Sequence, residues 1–502
     1  MPSHGLFLLA AFILSLLLNL IYIIGTSALS ISIFSIIRFL AGLDLILLLL
    51  IFKKWKDVKT KLFELRSSKQ EWLLYSLCVV MFYLMMRNGG LIDILADGWW
   101  HMSLAERILE DGTVFSNAQH LTGMPKSLLK IEYPFLWHAT LAIISRVSNM
   151  PLPVIWHAVA AFLVPLNLIG FYYFSFAVTR NHSQALGSVL LFCLIYGGLN
   201  SYFRVSPWPG NVSYIGLYAC YYLFFSGLYL NGANQKNSTV GSRAFWAAIS
   251  CTAIVIAALH GVALVLFVTS IAMYLYGMIV YSITVPDRRT TDLLATLQVL
   301  FLVLVLGFIL AYLLFPSHLH KALEHIGSIS ISFSAFLLTP IIFYLLSNRI
   351  ENQAKYKIGA VVALICAFGL AYSIDLEHLR LLFYPEAIIH PEIPRSAGSG
   401  EPPMFLPNWS HQLKAALLFS GLFSVPVALL LVLTRRDRAS VFVASNAVFS
   451  FLALTSPEMF GVVNSAIHTT SAYRVHMLIF SPLIFSMALY SLLQNIVRKK
   501  VD

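Results

Sequence analysis

Charge is scarce in this chain. Only 11% of the 502 residues are Asp, Glu, Lys or Arg, against about 25% in a soluble protein. Cysteine is sparse too. Cys78, Cys193, Cys220, Cys251 and Cys366 all lie in apolar runs and none has CxxC spacing. They read as small buried hydrophobes rather than disulfides or metal ligands, and they identify no redox compartment. The alternating pattern of barrel strands is missing, which leaves helices as the spanning element. The N-terminal run MPSHGLFLLAAFILSLLLNLIYIIG has neither a basic leader nor a small-x-small cleavage site, so it reads as a retained span and not a signal peptide. No soluble domain, low-complexity tract or convincing internal repeat is evident.

What is present is apolar sequence: 59% hydrophobic residues and a mean hydropathy of +0.80. Apolar runs of span length recur at 6–24, 29–52, 72–87, 154–178, 184–202, 212–231, 244–259, 262–283, 293–316, 328–347, 358–374, 412–433, 439–455 and 477–497. The chain therefore reads as an all-α polytopic membrane protein with about fourteen transmembrane helices. Three regions follow: a hairpin and basic loop (1–70), a core (71–374), and a long loop with the final helices (375–502). The net charge of +11 does not point to nucleic acid, because the basic residues sit in short loops between spans.

Those loops fix an orientation. KKWKDVKTK (53–61) with Arg66 and Lys69 is the strongest basic cluster and belongs on the cytoplasmic side. Counting onward puts Arg180, Arg243, Arg288, Arg349, Arg435 and Arg498 on that side as well. The parity holds only if 136–148, short for a span, is a re-entrant or interfacial helix. Loops 88–138, 203–211, 317–327, 375–411 and 456–476 then face outward, and most histidines gather there. Positive-inside selection on Lys and Arg alone would also leave His outside. Loop 375–411 reads as either a gating loop or a solvated linker. Four sequons, at 181–183, 211–213, 237–239 and 408–410, occur on both sides and identify no host.

Loop 88–138 holds the densest chemistry. DGWWHMSLAERILEDG predicts a helix capped by Asp97 and stopped by Gly112, with His101, Leu104, Ala105 and Ile108 on one face. It is amphipathic and too short to cross, so it should lie in the interface with Trp99 and Trp100. Asp97 and His101 are one turn apart. A carboxylate beside apolar surface gains proton affinity and suits a general base. His101 can orient it or share a divalent cation with it. The plainer reading makes Asp97 an N-cap and the tryptophans belt residues. YPFLWH (133–138) enters the next helix through Pro134, placing Glu132, Tyr133 and His138 near the same surface.

The loop acid, the D-x-x-x-H-x-x-x-A helix and the later Tyr-Pro entry resemble the GT-C superfamily of membrane glycosyltransferases. The resemblance is specific over 93–138 and is a span pattern elsewhere. It implies a sugar donor on polyprenyl or dolichyl phosphate, an extracytoplasmic or lumenal site, and a glycan, lipid or protein acceptor. It maps the superfamily's loop acid onto Asp97, with Asp93 as the lesser match. Here the acidic loop follows the third span rather than the first, which makes 6–52 an added hairpin. The paired acids of some members are not adjacent here, so a divalent cation stays open and no metal ligand is assigned. The membrane implied is a bacterial or archaeal cytoplasmic membrane, or the ER in a eukaryote.

A phosphate carrier needs outer cations. The candidates are Arg204 in YFRVSPWPGN, Lys321 in HLHKALEH, Arg380 in DLEHLRLL and Arg474 in AYRVHM. Arg474 and Arg204 are preferred, having aromatic neighbours and no adjacent acid. His260, between two apolar halves in AALHGVAL, is a candidate cavity residue. Two other functions compete. A transporter or flippase for a lipid-linked saccharide would concentrate ionisable groups mid-span, where here only Arg38 and Asp44 lie. A non-catalytic scaffold would bind without turnover.

Overall fold

The computed structural model describes residues 3–28, 67–87, 97–112, 135–196, 207–233, 239–284, 423–455 and 473–498, with isolated positions at 32, 34 and within 297–305. These residues are helical. In chain order the helices are α1 (His4–Ala28), α2 (Lys69–Arg87), α3 (Asp97–Asp111), α4 (Leu136–Ser148), α5 (Leu152–Thr179), α6 (His182–Leu191), α7 (Pro209–Ala233), α8 (Thr239–Leu259), α9 (Gly261–Thr284), α10 (Ser424–Arg435), α11 (Arg438–Thr455) and α12 (Ser481–Arg498). Among the described residues, four stretches are long and apolar enough to cross a membrane: His4–Thr26, Leu152–Thr179, Gly261–Tyr281 and Arg474–Ile496. The expected spans at 29–52, 328–347 and 358–374, and nearly all of 293–316, lie outside the described residues.

Two expected spans are not continuous α-helix. The run at 184–202 is α-helical only to Leu191 and continues as a π turn over Phe192–Tyr196. The last span opens as a 3-10 turn, Tyr473–Ile479, and breaks at Phe480, whose φ is +49°. Pro482 accounts for that break. Its ring excludes a regular turn before it but fits the first turn of a restarted helix.

The chain divides into two compact units. The first comprises Met1–Val189, Phe203–Gly227 and Gln235–Leu264; the second comprises Leu190–Tyr202, Leu228–Asn234 and Val265–Asp502. In the first unit α5 packs along α2 and α1, and α3 lies on α4 and α5. Side chains on one face of α1, including Leu9, Leu16, Leu20 and Ile23, are buried, while Leu14, Leu18 and Ile21 are more than half exposed. That division suits a helix with protein on one side and lipid on the other. Helix α4 has 13 residues, about 20 Å at 1.5 Å per residue, against the roughly 30 Å of a bilayer core. It ends at Asn149 in the left-handed conformation, and Pro151 caps α5 immediately after. The short non-crossing helix expected at 136–148 therefore has the length it needs.

In the second unit α10 packs on α11 and α12. Asp437 caps α11, its carboxylate accepting from Ser440 N–H at 2.8 Å and from Arg435 at 2.8–2.9 Å. Tyr281 of α9 donates to the Arg436 carbonyl at 3.0 Å, and Ser424 donates to Ser481 at 2.7 Å.

Candidate active site

The two ends of the first unit carry different chemistry. At one end lie α3, the starts of α4 and α5, and the segment entering α7. Helix α3 begins at Asp97 and stops before Gly112, whose φ of +67° is the left-handed conformation that glycine accepts without a Cβ penalty. His101, Met102, Ala105 and Ile108 are buried; Trp99, Glu106, Glu110 and Asp111 are exposed. Of the face expected from the sequence, His101, Ala105 and Ile108 are buried, while Leu104 is half-buried and Met102 joins the buried side.

At the centre of this end His101 Nδ1 and His138 Nε2 are 2.9 Å apart. The rings are inclined by 29° with centroids 5.1 Å apart. Both are nearly inaccessible, at 4% and 2% exposure. A nitrogen pair at this distance shares one proton, one ring donating and the other accepting. Among the described residues no group of three or more His, Cys, Asp or Glu could share a metal ion.

Tryptophans enclose the pair. Trp100 stands edge-on to both rings, at 5.0 Å from His101 and 6.4 Å from His138. Trp156 of α5 stacks on His101 at 6.5 Å and 21°, and Trp208 lies 6.3 Å from it. Trp137 Nε1 donates to the Pro207 carbonyl at 2.6 Å, tying α4 to the entry of α7 and holding Trp208 beside the histidines. The result is an imidazole pair in a low-dielectric aromatic pocket, where a proton position responds strongly to any nearby charge.

Of the residues singled out in the sequence, His101 and His138 are thus brought together. His260 separates α8 from α9 in the first unit, buried to 9% exposure, with its N–H donating to the Ile256 carbonyl at 2.8 Å. Arg474 is half-buried in the second unit. Asp97 opens α3 as expected, but its side chain lies outside the described residues, as do Asp93, Glu132, Tyr133, Arg204, Lys321 and Arg380. Sequence reading missed Trp156. Its signal is a Trp-His pair just after the Pro151-Leu-Pro153 entry to an apolar run.

The opposite end holds a polar cluster that was also missed. Glu71 is buried, at 3% exposure, and its carboxylate is fully engaged. It accepts from Tyr173 OH at 2.6 Å and from Ser68 N–H at 2.6 Å, while Glu71 N–H donates to Ser68 Oγ at 3.2 Å. The last two bonds form the reciprocal capping box that S-x-x-E encodes. Ser3 Oγ meets Tyr173 OH, and Gly5 N–H donates to Tyr75 OH at 2.8 Å. Tyr172 OH and His182 Nδ1 are 2.8 Å apart. Burial acts to raise the Glu71 pKa, but the hydrogen bonds from Tyr173, Ser68 and Ser3 outweigh it and hold the carboxyl below its ordinary value. The starts of α1, α2 and α6 and the end of α5 meet here, beside Lys69 and Arg180. Charge parity assigns the loops flanking these helix ends to one side of the membrane.

No protein-family model matches this chain, and none of the curated proteins matches it. Among solved structures it is similar to the oligosaccharyltransferase of Archaeoglobus fulgidus in its apo form, at 16% identity and a TM-score of 0.46. The similarity covers 84% of this chain and 52% of that one, so the chain spans about half the length of that structure.

Proposed function

We propose that this protein is an integral-membrane glycosyltransferase that moves a sugar from a polyprenyl-phosphate carrier to an acceptor hydroxyl at the outer membrane surface. The observation that carries the reading is the buried His101–His138 hydrogen bond on a helix headed by Asp97, walled by Trp100, Trp156 and Trp208. A buried, hydrogen-bonded imidazole pair one turn along the helix that Asp97 opens, at one end of an apolar bundle, suits chemistry on a substrate with a lipid tail and a polar head.

Asp97 is the acceptor-side base. As the acceptor oxygen attacks the anomeric carbon, its proton passes to the carboxylate, and the bond from that carbon to the carrier phosphate breaks. Attack from the face opposite the leaving group inverts the anomeric centre. The phosphate departs with the electron pair, and stabilising that charge is the largest demand on the site. Arg474 and Arg204 are the preferred phosphate ligands, with Lys321 and Arg380 as further outer cations. Asp93, Glu132, Tyr133 and His260 are substrate contacts. His101, one turn along α3 from Asp97 and bonded to His138 of α4, positions the start of that helix.

The test is release of polyprenyl phosphate from a panel of lipid-linked sugars by the purified protein in liposomes. Turnover of one member, abolished by Asp97→Asn in a protein that still inserts and folds, is the expected result. Saccharide flux without carrier release would instead identify a flippase, and tight binding without turnover a scaffold.

A further inference from the structure

The second unit contains a polar stripe inside otherwise apolar helices. Ser270 on α9 and Asn446 and Ser450 on α11 are all fully buried. Asn446 Nδ2 donates to the Phe442 carbonyl at 3.0 Å and to the Ser270 carbonyl of α9 at 3.4 Å. Both amide hydrogens are thereby used, which fixes the amide orientation and leaves Oδ1 as an acceptor with no donor. The hydroxyls of Ser270 and Ser450 have no hydrogen-bond partner either.

Other helical hydroxyls in this protein behave differently. Ser148, Ser188, Thr252, Thr434 and Ser491 each donate to the carbonyl four residues back. That back-bond is the default satisfaction of a hydroxyl in an apolar helix, and Ser270 and Ser450 forgo it. Ser450 is one turn beyond Asn446 on the same face, and Asn446 reaches across to Ser270. Asn446 Oδ1 and Ser270 Oγ thus belong to residues bonded across the α9–α11 contact, with Ser450 one turn further along α11, and each oxygen would be costly if left dry.

We infer that α9 and α11 enclose a bound-water site, with water donating to Asn446 Oδ1 and accepting from or donating to the two serine hydroxyls. Water fits the donor set better than a cation does. The site offers three neutral oxygens, and no carboxylate is among them. A buried water needs two to four polar partners, and these neighbouring residues carry three oxygens that lack one. Tyr274 and Phe442, one turn away on each helix and 5.7 Å apart, bound the site on one side.

The site is tested on the full-length protein in detergent by two measurements. Radiolytic hydroxyl labelling converts internal water into a local oxidant. A water-filled site gives oxidation of the fully buried Tyr274 or Phe442; their complete protection, with exposed Trp72 oxidised as control, overturns the inference. The second measurement is the melting temperature of Ser270→Ala/Ser450→Ala. If the hydroxyls hold water, removing them strands it and lowers the melting temperature. If they are dry, removing two unsatisfied hydroxyls raises it, which also overturns the inference. Neither readout depends on glycosyl transfer.

Discussion

Glu71→Gln should destabilise the first unit, and its size follows from the geometry. The substitution keeps the shape but replaces one carboxylate oxygen with an NH2 group. Oε1 can still accept from Tyr173 OH. At the Oε2 position the amide nitrogen would face Ser68 N–H, now 2.6 Å from an acceptor, donor against donor. A buried donor that loses its partner costs about 1–3 kcal/mol; Ser68 is only half-buried, so the loss should fall toward the lower end of that range. Tyr173→Phe should cost a similar amount. The two losses should be less than additive, because each removes a partner of the other. The assay is thermal unfolding in detergent of wild type, both single variants and the double variant. The pH dependence carries the sign. Because the folded-state pKa lies below the ordinary value, the carboxylate's contribution is fully present above the unfolded pKa. It fades as pH falls through the lower folded value. Glu71→Gln should lack that acid-side slope. An unchanged or higher melting temperature at neutral pH, with the slope retained, would refute the description of this cluster.

Other perturbations address the opposite end and the packing. His138→Ala leaves the facing nitrogen of His101 without this partner and should lower stability by about 1–3 kcal/mol; His138→Gln should recover part of the stability but not sugar transfer, read by unfolding and carrier release in parallel. Gly227→Ala drives a methyl into the Phe245 ring and should cost about 1–3 kcal/mol as overpacking, measured as a lower unfolding midpoint. Gly112→Ala places a Cβ on a residue at φ +67° and against Ser32; a loss of about 1 kcal/mol is expected, with α3 fraying first in hydrogen exchange.

Much of the architecture was legible because hydrophobic period and punctuation act locally. The helix α3 runs from Asp97 to just before Gly112, close to the limits read from the sequence, and the short run at 136–148 is a short helix. The apolar runs at 6–24, 154–178 and 262–283 are helices that extend one to four residues beyond each end. Proline marked a boundary that hydropathy alone overran, at Phe480–Pro482. The pairing of His101 with His138 was not legible. The residues are 37 positions apart, and only the packing of α3 on α4 decides that their nitrogens meet. Glu71 was not singled out in the sequence, although Ser68-x-x-Glu71 is a local capping signal. What could not be read is that Tyr173, 102 residues away, would donate to the same carboxylate.

The central claim rests on Asp97 as the acceptor-side base, and one measurement tests it most directly. Purified wild type and Asp97→Asn, matched for folding by melting temperature, are assayed for polyprenyl-phosphate release from the lipid-linked sugar that the wild type turns over. The account predicts that wild type releases carrier and Asp97→Asn releases none above background. Release by Asp97→Asn at the wild-type rate would contradict it.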